Sequence, residues 1–341
     1  MNQLNTALFP SSHWGSNIGN AFFHLGSNFL LTSANQNLKI IPSDLPSRKA
    51  FKVNESHWKN DCKYSYQVGE HTYLVLDGPM FDLSFRELFE PFFAQAKKNK
   101  TRVILLSTGG IQYTDEEIEH CRAVLKEYPP YILTTRDRDT YNNYHDLCSN
   151  SYDGICSAWF VPEAYPGYDT PDFNKFITLC FDAISEPEID LSYFIDPPEP
   201  LGDVKVSRVS HSRLEKVLRL LQRKFEEQKE GYKVVRPNHQ VLQRGNWRLF
   251  FKPGTFVSQT PYTYLNLYRN TSLSVTDRLH ACVATLAYGK PARLVINSKR
   301  VKLLERVGAL AATERVIRID GEALAREKSA YLDWLSQALA D

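Results

Sequence analysis

Residues 274–291 read SVTDRLHACVATLAYGKP, and they carry more structural information than any other segment of the chain. A short apolar run that ends at Thr276 has the pattern of a strand. The small apolar residues after it have the pattern of a buried helix that ends at Gly289. A strand that leads directly into a buried helix favours an α/β architecture. It also places Arg278 and His280 in the first turn of that helix.

The first turn of a helix suits an anionic ligand. Its N–H groups have no acceptor within the helix, and they lie at the positive end of the helix dipole. Arg278 adds a fixed fork of donors for a carboxylate or phosphate, and His280 can exchange a proton near neutral pH. The same residues also fit a purely structural helix start, with Thr276 or Asp277 as N-cap, Arg278 in a salt bridge and His280 packed.

The rest of the chain alternates between strand-like and helix-like segments, which predicts two doubly wound Rossmann-like domains that face each other across a cleft (GT-B-like). Ligands in such sheets bind at the carboxyl ends of the strands. A segment rich in proline, tyrosine and aspartate, 153–203, predicts the linker. We therefore expect an N-terminal domain of residues 1–195, on the acceptor side, and a C-terminal domain of residues 196–341, on the donor side.

Predicted elements extend along both halves. In the first half we expect strands at 74–76, 103–106 and 131–134, with helices at 85–98 and 115–127. In the second half we expect helices at 212–229, 261–269 and 299–307, with strands at 232–236, 256–258, 272–275, 294–296 and 315–319. Ser84 and Thr114 each precede a glutamate by three residues, which predicts two capping boxes.

Composition excludes several classes of protein. The chain has 341 residues, with 41 lysines and arginines against 39 aspartates and glutamates. This balance gives no basic field for a nucleic-acid backbone. The apolar stretch 21–31 is interrupted by polar residues and is too short for a membrane span, so we expect a cytoplasmic protein. The six cysteines are scattered without a Cys-x-x-Cys pair, which predicts reduced thiols and no metal site.

Residues 276–291 resemble the Arg-Leu-His region of the polysaccharide pyruvyl transferase family. In that family a strand enters a Thr/Ser-x-Arg-Leu-His helix that leads to Gly-Lys-Pro and another strand, and this chain matches at each of those positions. Residues 14–20, WGSNIGN, resemble the family's Gly-x-x-Asn-x-Gly-Asp turn, with Asn20 in place of the acid. Residues 103–110 and 131–137 resemble two further strand ends, the second of which carries Arg136. The family's Gly-rich turn after an early strand is reduced here to Leu76-Asp77-Gly78-Pro79.

The resemblance implies transfer of an enolpyruvyl-derived group from phosphoenolpyruvate, a co-substrate, to two hydroxyls of a sugar or lipid-linked oligosaccharide. No other cofactor and no metal is expected, and a lipid-linked acceptor would bring the protein transiently to a membrane. The resemblance assigns the donor anion to Arg136 and Arg278, with N–H groups of Leu279 and His280 completing the cradle. His280 is the expected general acid, since a protonated imidazole would also stabilise the leaving phosphate.

Other candidates come from the residue types. Asn17, Gly19 and Asn20 could hold phosphate or sugar through backbone N–H groups, although an Asn-Gly turn chosen for its backbone conformation fits equally well. Asp77 and Asp82 could serve as bases, or they are solvated loop carboxylates. Five aromatic residues could stack on a sugar or simply pack in the core: Tyr141, Tyr144, Trp159, Phe160 and Tyr165.

Two other functions fit the pattern. A glycosyltransferase that uses a nucleotide sugar would have the same two-domain shape and an arginine at its anion site. A catalytically silent member would bind an acidic glycan or serve in an assembly. Asn20 and the reduced glycine turn favour the silent member, whereas the intact Arg278-Leu279-His280 sequence favours an enzyme.

Overall fold

The structure is a computed structural model that describes residues 5–11, 14, 17–44, 71–170, 175–194, 202–207, 227–240, 250 and 252–340. Several expectations fall outside these residues: Gly15 and Ser16 of the N-terminal turn, the Pro-rich segment 196–200, and most of the helix predicted at 212–229. The end of that predicted helix is described, and there Gln228–Lys229 is a strand rather than a helix.

The first sheet is parallel throughout and has six strands in the order β2-β1-β3-β4-β5-β6. Its strands are β1 (Thr6–Ser11), β2 (Lys39–Asp44), β3 (Tyr73–Phe81), β4 (Arg102–Gly110), β5 (Ile132–Thr135) and β6 (Ser151–Asp153). The strands β1, β3, β4 and β5 are almost continuously buried, as expected for a sheet covered on both faces.

Helices connect these strands. They are α1 (Gly19–Ala34), α2 (Phe85–Asn99), α3 (Asp115–Glu127), α4 (Arg138–Tyr144) and the short α5 (Val161–Ala164), with 3-10 turns at His145–Leu147 and Ser157–Phe160. Thr114 caps α3 as predicted, because its side chain accepts the N–H of Glu117. Ser84 does not cap α2 with its side chain; instead, Asp82 accepts both the backbone N–H and the hydroxyl of Ser84.

The second sheet has the order β10-β11-β7-β13-β14 and is parallel except for the hairpin of β10 and β11. Its strands are β7 (Phe176–Cys180), β10 (Gln228–Lys229), β11 (Tyr232–Pro237), β13 (Leu273–Thr276) and β14 (Ala292–Leu294); β12 (Thr255–Phe256) pairs with β11. A separate hairpin joins β8 (Glu188–Asp190) and β9 (Lys205–Ser207). The helices are α6 (Pro261–Asn270), α7 (Leu279–Ala287) and α8 (Gly321–Ala338), with 3-10 turns at Lys299–Leu304 and Leu310–Thr313.

Three expectations about this half need correction. The strand β7 lies inside the segment interpreted as linker, so the chain enters the second sheet before the boundary predicted at 195/196. The helix predicted at 299–307 is a 3-10 turn, and the strand predicted at 315–319 is a single bridge between Ile317 and Ala292. The domain limits themselves stay a prediction.

The two halves share one hydrophobic core. Its buried members come from α1, the 157–160 turn, α6, α7 and α8, and they include Phe22, Trp159, Tyr264 and Tyr331. The last helix, α8, packs against α1, and the hydroxyl of Tyr331 reaches the side chains of Ser107 and Thr134 in the first sheet. The C-terminal helix α8 therefore packs against the N-terminal half of the chain.

Within the described residues, no helix is both long enough and apolar enough to cross a bilayer.

Candidate active site

Polar residues from both halves meet where the strands of the two sheets end. On the first half they lie in β3, directly after β5 and at the start of α1. On the second half they follow β7, β11 and β13. The carboxyl ends of parallel strands form the usual ligand crevice of doubly wound sheets, so this meeting point is the candidate active site.

Arg278 is the N-cap of α7, one position before the first turn in which the sequence placed it. Its backbone N–H donates to Thr276 Oγ1 at 2.8 Å, and its Nε donates to Asp182 Oδ2 at 3.2 Å. Its Nη2 is buried and has no hydrogen-bond partner in the part of the chain that the structure describes. The guanidinium is thus fixed through Nε by a carboxylate, and a second buried donor is available to bind a ligand.

Asp277, the other N-cap candidate, serves a different purpose. Its carboxylate accepts the backbone N–H groups of Asp182, Ala183 and Ile184, at 3.2, 2.7 and 2.8 Å. Three charge-assisted bonds tie the loop after β7 to the start of α7. Asp277 therefore holds the loop that presents Asp182 to Arg278.

Asp182 is a site residue that the sequence analysis missed. It accepts Asn238 Nδ2 at 2.6 Å and the backbone N–H of His239 at 2.8 Å, besides the guanidinium of Arg278. Burial raises the pKa of Asp182, and the charge of Arg278 opposes this rise. Asp182 follows the apolar run of β7 by two residues, and this position is typical of a site residue. The run was interpreted as part of the linker, so Asp182 was not singled out.

His280 lies in the first turn of α7 and is nearly buried, at 9% exposure. Its Nε2 is 3.8 Å from Cys156 Sγ, and its ring centroid is 5.1 Å from that of Phe23. Burial holds the pKa of His280 well below its usual value, and the nearby charges of Arg136 and Arg300 lower it further. The imidazole of the free protein is therefore neutral at pH 7, whereas the sequence analysis expected a protonated one.

A second histidine, His239, was also missed. Its Nε2 is 2.6 Å from Tyr268 Oη, and its Nδ1 is buried with no hydrogen-bond partner from the residues that the structure describes. Burial and the charge of Arg278 hold the pKa of His239 well below its usual value. Gly19 lies directly against this ring, because a Cβ at Gly19 would come within 3.1 Å of His239 Nδ1 and 3.4 Å of His280 Cβ.

The N-terminal turn is held by its own amides. Asn17 Oδ1 accepts the N–H of Gly19 at 3.2 Å, and Asn17 Nδ2 donates to Asn20 Oδ1 at 3.1 Å. The structure therefore brings this turn beside the Arg-Leu-His segment. It leaves the two asparagine side chains bonded to each other.

Arg136 follows β5 and is 1% exposed. It lies under the backbone of Gly109, where a Cβ would come within 2.2 Å of Arg136 Nε. Its Nη2 donates to Gly110 O at 3.4 Å, while its Nε has no hydrogen-bond partner within the described ranges. The salt bridge to Asp137 that the sequence left open is loose, at 3.9 Å. The other acid considered, Asp139, pairs instead with Lys302 across the two halves.

Arg300 is the third arginine of the site, and the sequence analysis missed it. Its N and Nε donate to Ser298 Oγ at 3.3 and 3.5 Å. Burial lowers the pKa of Arg300, and the charges of Arg136 and Arg278 lower it further. No carboxylate of the described residues lies within ion-pair distance of it. In the sequence, Arg300 is simply a basic residue shortly after strand β14, and many basic residues have such a position, so the pattern did not distinguish it.

The sequence candidates for sugar stacking do not gather here. Tyr144, Trp159 and Phe160 are at most 2% exposed and belong to the core. Tyr165 accepts the hydroxyl of Tyr288 with its backbone carbonyl, at the opposite end of α7 from Arg278.

Residues 17–299 match the family model described as polysaccharide pyruvyl transferase. The chain belongs to that family. The match confirms the resemblance drawn from the Arg-Leu-His segment, and it covers every arginine and histidine described above except Arg300, the residue directly after its end. A sequence search of curated proteins returns no match.

Solved structures show the same fold. MnaA of Staphylococcus aureus in complex with UDP is 12% identical, with a TM-score of 0.51 over 98% of this chain and 91% of that one. A UDP-N-acetylglucosamine 2-epimerase is also 12% identical, with a TM-score of 0.52 over 99% of this chain and 91% of that one. This chain therefore shares a GT-B-like α/β fold with these structures, as the sequence predicts.

In the described part of the chain, no cluster of three or more His, Cys, Asp or Glu side chains is arranged to hold a metal ion.

Proposed function

We propose that this protein transfers the enolpyruvyl-derived group of phosphoenolpyruvate to two hydroxyls of a sugar in a polysaccharide or its lipid-linked precursor. The products would be a cyclic pyruvate ketal and phosphate. The reaction would take place in the cytoplasm and need no metal or organic cofactor.

One observation carries the proposal: three arginines converge on the start of α7, and within the described residues two of them lack a close carboxylate partner. Arg278 is paired with Asp182, Arg136 touches a carboxylate only at 3.9 Å, and Arg300 has no such partner among the described residues. Buried cations that repel one another need an anion. Phosphoenolpyruvate brings both a carboxylate and a phosphate, so its two ends match separated guanidinium groups.

The N–H groups available at this site indicate where the anion would bind. Arg136 Nε and Arg278 Nη2 are both buried and have no hydrogen-bond acceptor among the described residues, although Asp137 lies 3.9 Å from Arg136 Nε. The first-turn N–H groups of Leu279 and His280 have no acceptor within the helix and add to the positive end of α7. We assign the donor anion to these groups together with Arg300.

The neutral state of His280 fits a role as acid once the donor is bound. The same arginines that depress its pKa would be neutralised by the incoming carboxylate and phosphate. The imidazole would then take up a proton next to the methylene carbon, which must be protonated during transfer. His280 would thus become protonated only when phosphoenolpyruvate is bound.

The experiment compares two classes of donor by thermal stability and then by turnover. Phosphoenolpyruvate should raise the melting temperature, because a ligand of the native state stabilises it, whereas UDP and UDP-N-acetylglucosamine should not. Phosphate release is then measured with a panel of glycosides that carry neighbouring hydroxyls, and the ketal methyl group is sought by NMR.

Two variants distinguish donor binding from turnover. Arg278→Ala should lose the stabilisation by phosphoenolpyruvate, and His280→Ala should keep it while losing phosphate release. Stabilisation by UDP alone would favour a nucleotide-sugar enzyme. Stabilisation by phosphoenolpyruvate without phosphate release from any glycoside would favour a silent member of the family.

A further inference from the structure

The proposed transfer needs a base for the acceptor hydroxyl as well as an acid, and this inference rests on that proposed function. The relevant feature is Asp77, at an irregular point of β3 where the pairing register with β4 shifts. Its side chain is 1% exposed. One carboxylate oxygen, Oδ2, is buried and has no hydrogen-bond partner among the described residues.

The other oxygen of Asp77 is held by a histidine whose tautomer is fixed. His24 Nε2 lies 3.1 Å from Asp77 Oδ1, and Trp14 Nε1 lies 2.7 Å from His24 Nδ1. An indole N–H can only donate, so His24 Nδ1 must accept and His24 Nε2 must carry the proton. His24 therefore donates to Asp77 Oδ1, and the unpartnered oxygen is Oδ2.

Asp77 lies in the same crevice as His280. Its neighbour Gly78, at a φ of 85°, lies under the ring of Phe23, and a Cβ there would come within 2.5 Å of Phe23 Cε2. That ring is 5.1 Å from the ring of His280 by centroid. The charge of Asp77 also contributes to raising the pKa of Cys156, which contacts His280. Asp77 and His280 therefore flank Phe23 from the two halves of the molecule.

The other carboxylates near the crevice are already used. Asp82 Oδ1 accepts the backbone N–H and the hydroxyl of Ser84, the residue before α2, at 2.8 and 2.6 Å. Asp137 accepts Thr140 N and Tyr113 Oη, both at 2.8 Å.

Asp182 holds Arg278 and Asn238, as described above. Position 20 carries an amide, which cannot take up a proton in this role, and that amide is bonded to Asn17.

We propose that Asp77 is the general base for the acceptor hydroxyl and that His24 is its positioning residue. The first hydroxyl oxygen forms a bond to C2 of the enolpyruvyl group while its proton passes to Asp77 Oδ2. C3 takes a proton from His280. The second hydroxyl oxygen then bonds to C2, and phosphate leaves with the electron pair of its own bond to C2 and the proton of that hydroxyl. Solvent carries the proton on Asp77 back to His280.

The test separates proton transfer from binding and folding. Asp77→Asn keeps the shape of the side chain and an acceptor for His24, so phosphoenolpyruvate should stabilise it as it does the wild type. Phosphate release at saturating acceptor should fall by about 100-fold or more, the usual contribution of a general base. Asp82→Asn is the matched control, since it changes a carboxylate at the same end of β3 that is bonded to Ser84 at the start of α2, and its turnover should not change.

Chemical rescue provides a second measurement that a structural role would not affect. Asp77→Ala leaves a cavity beside His24, and added formate should restore part of its phosphate release without changing that of Asp82→Asn. Wild-type turnover in Asp77→Asn would overturn the assignment of the base, with the proposed function intact. Loss in Asp77→Ala without rescue by formate, together with full activity in Asp77→Asn, would make Asp77 structural. A wild type that neither binds phosphoenolpyruvate nor releases phosphate would overturn the proposed function itself and this assignment with it.

Discussion

Replacing Arg278 by lysine should weaken the binding of phosphoenolpyruvate while the positive charge is kept. The guanidinium does two things at once: Nε is bonded to Asp182 Oδ2 at 3.2 Å, and the buried Nη2 is free for the donor anion. An ammonium group is a single point of charge and cannot reproduce this fork. In the variant, Asp182 and the anion would compete for one group.

The magnitude follows from the number of bonds lost. One charge-assisted hydrogen bond contributes about 1.5–3 kcal/mol. Each 1.4 kcal/mol corresponds to a factor of about ten in a dissociation constant, so the affinity should fall by about 10- to 150-fold. Isothermal titration of the purified variant with phosphoenolpyruvate measures this directly.

Arg236→Lys is the matched control. Arg236 lies on β11 of the same sheet and is also largely buried, but its Nε, Nη1 and Nη2 are all bonded, to Glu186, Glu227 and the carbonyl of Pro253. This variant should lose stability and keep its affinity for phosphoenolpyruvate. Wild-type affinity in Arg278→Lys, or an equal loss in both variants, would refute the reasoning that Arg278 Nη2 binds the donor.

Two further predictions concern stability. Acidification below pH 6.5 should destabilise the free protein, because His239 and His280 have lowered pKa values in the fold and take up protons at about 6.5 once unfolded. Each contributes a slope of up to about 1.4 kcal/mol per pH unit. Denaturant titrations from pH 7 to 5 should therefore show a shallower decline for His280→Gln than for the wild type, and parallel declines would contradict this. Gly26→Ala should lower the melting temperature, since its Cβ would lie 1.8 Å from the carbonyl oxygen of Ser157, and such overpacking costs about 1–3 kcal/mol or more. Gly321→Ala, whose Cβ would meet nothing within 4 Å, is its control, and equal melting temperatures for the two variants would disprove the clash.

Local pattern predicted five elements of the first half of the fold. The helix at 115–127 was predicted with its cap, and the helix at 85–98 matches α2. The strands predicted at 74–76 and 103–106 lie inside β3 and β4, and the strand predicted at 131–134 overlaps β5. These elements are regular because one apolar face or one buried run dominates each of them.

The pattern failed where packing decides the structure. The strand β7 stands in a segment rich in turn formers, and it is a strand because it fills the central place between β11 and β13. The turn at Lys299–Leu304 has a helical composition, but it is a 3-10 turn whose Arg300 is held at Ser298.

The sequence by itself determined the family, the alternation of strands and helices, and the placement of Arg278 and His280 at the start of one helix. Only the tertiary structure decided which groups meet them. Asp182 and Arg278 are 96 residues apart in the chain, and Arg300 and Arg136 come from different halves. The hydrogen-bond partner of a side chain and the shift of its pKa both depend on burial and on nearby charges. The order of strands in the sheets brings those groups together, and a local sequence pattern does not contain that order.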